Sequence, residues 1–412
     1  MVDQPAGEEN RGEDEQGRVE FSFPLLIFRA KIFTRVYDRL GSLRVLQPAA
    51  WAAMVGMPAV AGFGLYFIVF GFVTLLTSPA AREIGRELGP QVYIILPGVN
   101  PYVPIFYGWI ALIVAIVLHE GAHGVIARSR GFKVKSSGLL FFFIVPVGAF
   151  VDVDEDELAS AKPKRSIKVF AAGAGANVAA AVACILGVLL ITGGLTPVID
   201  GLYVFEVMDG TPAQDAGIMV RDVIVSVDDL PISDFDVFES VLDQKNPGDT
   251  IEIKVARGEK WSDQFSTTAI LTEDNGSAYL GVSVGELLTE QRLRTYQKLA
   301  TEMILLHFMP PTLASGLVPF SGALSNFYAH PLGENWHILA SFLFWMWFVN
   351  INIAIFNSLP IYPLDGGQAL KAVLKSLLGH RLEEKTISQI MVAITAVLLS
   401  VVALTVVIPF VM

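Results

Sequence analysis

The sequence predicts a multi-span α-helical membrane protein with about five transmembrane helices and one inserted small α+β domain. Three observations lead there. Hydrophobic residues make up 53% of the 412 and charged residues only 17%, a more apolar balance than soluble chains carry. Apolar runs at residues 51–77, 104–128, 167–192, 336–359 and 387–411 are each long enough to cross ~30 Å of hydrocarbon at ~1.5 Å per residue. Between residues 201 and 285 the composition turns polar and strand-like.

Taken in order, residues 1–20 are acidic and polar (Glu8, Glu9, Glu13, Asp14, Glu15). They lack an apolar signal region and read as a disordered tail. Residues 21–50 form a basic interfacial segment, with an interfacial helix expected over 25–40. Residues 51–197 make the first part of the membrane domain, with three spans. Residues 198–287 form the inserted domain. A strand is expected at 202–207; Thr211 and Pro212 are then the N-cap and first residue of a short helix, and Gly217 stops it. Strands follow at 223–227 and 251–256. Between them Phe235, Phe238, Val241 and Leu242 have helical spacing, and the run Asn246 to Asp249 makes a turn. Residues 288–335 link onward. Their apolar stretch 303–320 is interrupted by Pro310, Pro311, Gly316 and Pro319, which suits an interfacial or re-entrant segment better than a span. Residues 336–412 complete the membrane domain.

Lys and Arg placement sets the orientation. Arg128, Arg130, Lys133, Lys135, Lys162, Lys164, Arg165 and Lys168 share one side with Lys371, Lys375, Arg381, Lys385 and the basic N-terminal flank. The loop after the first span has only Arg82 and Arg86. The N-terminus is therefore expected in the cytoplasm and the insert outside, in a prokaryotic cell membrane. A net charge of −11 argues against nucleic-acid binding; it fits either a salt-adapted, archaeal proteome or an ordinary acidic surface. Cys184 is the only cysteine, so no intramolecular disulfide forms and metal ligands must be nitrogen and oxygen.

The second span contains His119, Glu120 and His123. On a helix, positions i and i+4 share a face, so both imidazoles can serve one metal with Glu120 beside them as general base. An acid at membrane depth is costly and marks a functional interior. A catalytic zinc usually takes three protein ligands. His307, His330, His337 and His380 lie outside the spans or at their rims, where surface or interface roles are expected. Asp365 follows the fourth span in a segment broken by Pro360 and Pro363 and closed by Gly366 and Gly367. On these residues alone a third ligand and an ordinary exposed turn are equal readings.

Together the motifs resemble the site-2 protease family of intramembrane metalloproteases. HExxH in one membrane helix matches His119, Glu120 and His123, and N-x-x-P-x-x-x-x-D-G in a later one matches Asn357, Pro360, Asp365 and Gly366. Residues 138–154 look like the family's membrane-re-entrant β-hairpin, although alone they read equally as a short buried strand pair. The run Ala172 to Asn177 is similar to the family's A-G-P-x-x-N helix start, with Ala174 in place of proline. The resemblance implies one Zn²⁺ per chain on His119, His123 and Asp365, Glu120 as catalytic base, and Asn177, Asn357, Pro360 and Gly366 as active-site neighbours or substrate contacts. The insert resembles a PDZ domain. Residues 211–222 match S-P-A-x-x-A-G-x-x-x-G-D apart from Thr211 and Arg221, and Tyr279, Leu280, Gly281 and Val282 look like its carboxylate-binding loop. That groove would take peptide C-termini as an added strand or act only as a size filter.

The implied activity is zinc-dependent intramembrane cleavage of transmembrane protein substrates, near the cytoplasmic side, in regulated proteolysis. Two alternatives of other classes stand beside it: a zinc-transporting or zinc-sensing membrane protein, and a non-catalytic PDZ adapter. Transport calls for polar ligands relayed through several spans, whereas these cluster at one point. An intact Glu120 argues against the adapter.

Overall fold

A computed structural model describes residues 18–22, 25–30, 32–143, 145–274, 276–285, 293, 307–313 and 318–412. The chain divides into two compact units, Met1–Cys184 with Trp345–Met412, and Ile185–Phe344. In chain order the elements are β1 (Arg18–Ser22), β2 (Leu25–Ala30), α1 (Ile32–Gly41), α2 (Leu46–Thr77), α3 (Pro79–Leu88) and α4 (Ile105–Ser129). Then come β3 (Val134–Phe142), β4 (Val145–Val153), α5 (Glu155–Ser160) and α6 (Pro163–Gly193). The insert holds β5 (Thr196–Pro197), β6 (Leu202–Val207), α7 (Pro212–Asp215), β7 (Val223–Val227), β8 (Leu230–Pro231), α8 (Phe235–Asp243), β9 (Thr250–Arg257), β10 (Asp263–Ile270), β11 (Thr272–Asp274), β12 (Ser277–Tyr279) and β13 (Val282–Gly285). After β14 (Tyr328–Ala329) the chain ends in α9 (Trp336–Ser358), α10 (Asp365–Leu378) and α11 (Glu384–Val411).

Among the described residues five helices are long and apolar enough to span a membrane: α2, α4, α6, α9 and α11. These are the five expected spans; α2, α6 and α11 are extended by a few residues, while the bounds of α4 and α9 differ from those expected by a single residue. They meet through small residues: Gly64 of α2 leaves room for Ile355 and Leu359, and Gly175 of α6 for Ala53, the close approach that packs helices in lipid.

The expected hairpin is present as β3 and β4, but it belongs to a four-stranded sheet of order β1-β2-β3-β4. This corrects the N-terminal reading twice. Residues 25–30 are a strand, paired from Leu25↔Phe142 to Ala30↔Ser137, and the helix starts only at Ile32. Residues 18–20 of the expected tail lie in β1, while residues 1–17 fall outside the described ones. The reason is tertiary. β3 would otherwise leave a row of backbone groups unpaired, and pairing with them outweighs the local helical pattern of 25–40. β1 and β4 are the two edge strands of this sheet, and β4 keeps its outer edge free of a strand partner.

In the second unit the main sheet runs β10-β9-β7-β6-β13, with β8 on β7. On β9 Ile251, Ile253 and Val255 are buried while Glu252 and Lys254 are exposed, the alternation of a sheet with one face on a core. Phe238 and Val241 of α8 and Leu280 fill the same core. Thr211 does precede α7, yet its hydroxyl donates to Met208 O (2.6 Å) and does not cap the helix. Arg221 takes φ 80° where the PDZ signature has glycine, so the turn survives the substitution at some conformational cost.

The segment expected as a linker joins this unit in part. β14 pairs with β5, and Phe327, fully buried, stacks on Trp261 with ring centroids 3.4 Å apart. Burial of aromatic surface holds it there. His307, expected in a surface or interface role, is buried. Of the 303–320 stretch, residues 303–306 and 314–317 lie outside the described ones, and 307–313 shows only short helical and turn structure.

Candidate metal centre and active site

His119 and His123 lie one turn apart on α4, with His119 6% exposed. Asp365 opens α10 immediately after the break that ends α9. A Cβ on Gly366 would run into the carbonyls of Ser358 and Leu359, and one on Gly367 into backbone of Ile361 and Tyr362. Two glycines are therefore what lets the chain turn back on itself and aim the carboxylate inward. Asp365 Oδ2 sits 3.0 Å from His119 Nε2 and 3.1 Å from His123 Nε2.

The chemistry of these three atoms fits a cation. His123 Nδ1 meets the carbonyl of Val169 at 2.8 Å, and His119 Nδ1 meets Asn177 Oδ1 at 3.1 Å. Each Nδ1 must donate, which leaves each Nε2 of a neutral imidazole with a lone pair. Those lone pairs face a carboxylate oxygen. Three acceptors converging without a donor need a positive charge among them. Zn²⁺ takes two imidazoles and one carboxylate as three of its four ligands and leaves a position open, and all three ligand atoms lie within 4.8 Å of one another. Space is kept for it by Gly173 of α6: a Cβ there would stand 2.5 Å from His123 Nε2 and 2.6 Å from His119 Nε2.

Glu120 is the next residue on α4. Its Oε2 accepts a bond of 3.2 Å from the Val151 amide, so the carboxylate is tied to β4. Ser137↔Val151 and Leu139↔Ala149 are successive partners of one register, so alternation turns the backbone groups of Ala149 and Val151 alike to the open edge of β4.

The structure thus brings together His119, Glu120, His123, Asp365 and Asn177 of the expected site. Gly366 acts on backbone shape. Asn357 donates to Ile353 O (3.1 Å) within its own helix, and Pro360 lies half-buried in the bend after α9. In the insert, Leu280 is buried in the core and Gly281 O accepts from Met208 N (3.0 Å). Gly281 has φ +87°, and a Cβ on it would strike the Thr211 side chain. Two residues escaped sequence reading. Gly173 had a signal in its Gly-Ala run. Asn350 had one too, as a polar amide, with Asn352 beside it, in the middle of an apolar span.

Several known proteins are similar to this chain. An uncharacterised protein of Methanocaldococcus jannaschii is 25% identical over 344 residues, covering 82% of this chain and 75% of that one. The zinc metalloprotease RasP of Oceanobacillus iheyensis is 27% identical over 234 residues, 52% of either chain. Among solved structures, the PDZ domain of an SdrC-like protein of Listeria monocytogenes is 26% identical, covering 21% of this chain and 87% of that one with a TM-score of 0.19. The family model of peptidase family M50 matches residues 107–402, and with its HExxH helix and Asp365 joined in one site, the chain belongs to that family, the site-2 proteases.

Proposed function

We propose that this protein is a zinc-dependent endopeptidase that cuts the transmembrane segments of other membrane proteins. One observation carries the reading: three lone-pair atoms of His119, His123 and Asp365 converge within a bundle of spans, with Glu120 next to them on α4 and hydrogen-bonded to the edge strand β4. Zinc held by that trio supplies Lewis acidity and lowers the pKa of a water to ~7. Glu120 takes the proton from water attacking the peptide carbonyl and passes it to the departing amide nitrogen. The Val151 amide holds one oxygen of Glu120 in place for this.

A transmembrane helix satisfies its own carbonyls, so a substrate must unwind before it can be cut. The outer edge of β4 offers backbone partners for the unwound stretch, and a peptide laid along Ala149 and Val151 passes beside Glu120. Helix-breaking residues should therefore mark good substrates. The basic residues flanking α4, α6 and α10 favour the cytoplasmic side for this end of the spans, with the PDZ-like insert outside. There it would admit or recognise substrates already clipped by another protease, giving two-step regulated proteolysis. The test compares intact masses of membrane proteins from cells carrying wild-type protein and Glu120→Gln. Fragments cut within a transmembrane segment should appear only with the wild type; identical mass profiles would refute the proposal.

A further inference from the structure

We infer that Asn350, on α9, is a positioning residue for the metal centre: it locks the amide of Asn177, which in turn selects the His119 tautomer that leaves Nε2 free for zinc. This rests on the zinc reading above. Asn350 and Asn177 are both fully buried, where an amide must find partners or carry a desolvation cost. Asn350 Nδ2 donates to Met346 O (2.8 Å). A carbonyl can only accept, so the atom facing it is the NH₂ group and the oxygen of Asn350 must face the other way. That oxygen accepts from Asn177 Nδ2 at 3.1 Å. The second hydrogen of Asn177 Nδ2 goes to Ala115 O (3.2 Å). Both donors are then spent, and Asn177 Oδ1 faces His119 Nδ1 at 3.1 Å.

Turning the Asn177 amide over would lose two hydrogen bonds and press its oxygen against those of Ala115 and Asn350. With the amide as it stands, His119 carries its proton on Nδ1. The turned amide would put that proton on Nε2, and His119 could no longer donate a lone pair to the metal. Without Asn350 a single bond, to Ala115, opposes the turn.

The experiment measures zinc affinity of detergent-purified protein by chelator competition, and the visible spectrum of the Co²⁺-substituted form. Asn350→Leu should weaken zinc binding ~10-fold or more, the usual scale for a residue that orients a ligand, and shift the Co²⁺ bands. Asn350→Thr fills much of the same space without reaching Asn177 and should do the same; it serves if the Leu variant does not fold. Asn350→Asp, with its carboxyl protonated in the interior, keeps one donor and one acceptor in place and should restore near-wild-type affinity. In the Asn177→Ala background Asn350→Leu should have no further effect, because residues acting in one chain are not additive. Wild-type affinity in both the Leu and Thr variants, or full additivity with Asn177→Ala, would overturn the inference while leaving the zinc reading standing. Absence of zinc binding by the wild type would instead defeat that reading.

Discussion

Replacing Gly173 by alanine should empty the metal centre while the helix bundle stays folded. The added Cβ would lie 2.5 Å from His123 Nε2 and 2.6 Å from His119 Nε2, whereas carbon and nitrogen settle near ~3.5 Å. One or both rings must retreat by ~1 Å, and metal–ligand distances tolerate only ~0.2 Å. The rings cannot swing freely, because Val169 O and Asn177 Oδ1 hold their Nδ1 atoms. Zinc affinity should therefore fall by ~10²-fold, the upper range for disturbing ligand orientation. The helix itself gains, since alanine is favoured over glycine in a helix by ~1 kcal/mol. Gly175→Ala is the matched control. Its Cβ would meet Ala53 Cβ at 2.5 Å, so overpacking between α2 and α6 should cost ~1–3 kcal/mol of stability with zinc retained. Both variants would be assayed by chelator competition and thermal unfolding in one detergent. Unchanged zinc affinity in Gly173→Ala would refute the argument that this glycine makes room for the metal.

Glu120→Gln keeps the side chain's shape but cannot take a proton, so cleavage of a reconstituted transmembrane substrate should drop by at least ~10² while zinc content holds; near-normal turnover would remove Glu120 from the chemistry. Combined replacement of His119, His123 and Asp365 by alanine should abolish zinc binding, measured by elemental analysis, and retention of a full equivalent would place the metal elsewhere. In the insert, the Lys245 ammonium (2.5 Å) and then the Glu252 amide (2.8 Å) hold Asp228 below its ordinary carboxylate range. A lowered folded-state pKa gives stability that is present above the unfolded value of ~3.9 and lost as pH falls through the folded one. Hydrogen-exchange protection factors over β7 and β9 should thus fall below about pH 4 in the wild type and depend less on pH in Asp228→Asn. Gly281→Ala forces a side chain onto Thr211 at positive φ and should impair only insert-dependent selection, with a short pre-clipped substrate still cut; loss of all cleavage would mean the insert helps assemble the active site.

The parts of this protein that sequence shows are those whose physics depends on order along the chain. Span length, the i and i+4 placement of His119 and His123, and the breakers around Asp365 are of that kind. The strand at 25–30 is not, because what fixes it is the unpaired edge of β3 more than a hundred residues away, and locally the same residues read as an amphipathic helix. Asn350 and Gly173 fail for a further reason. A zinc ligand must be one of few atom types at a defined spacing, so its motif is specific. The group that steadies a ligand needs only to present a donor or an acceptor at one point in space, and many residues on many elements can do so. Asn350 reaches His119 only through Asn177, across three helices, and Gly173 contributes the absence of a side chain. The signal each leaves along the chain is too common to name its role, yet both set whether His119 Nε2 and His123 Nε2 meet one ion, so the constraint on the metal is wider than the ligand motif that announces it.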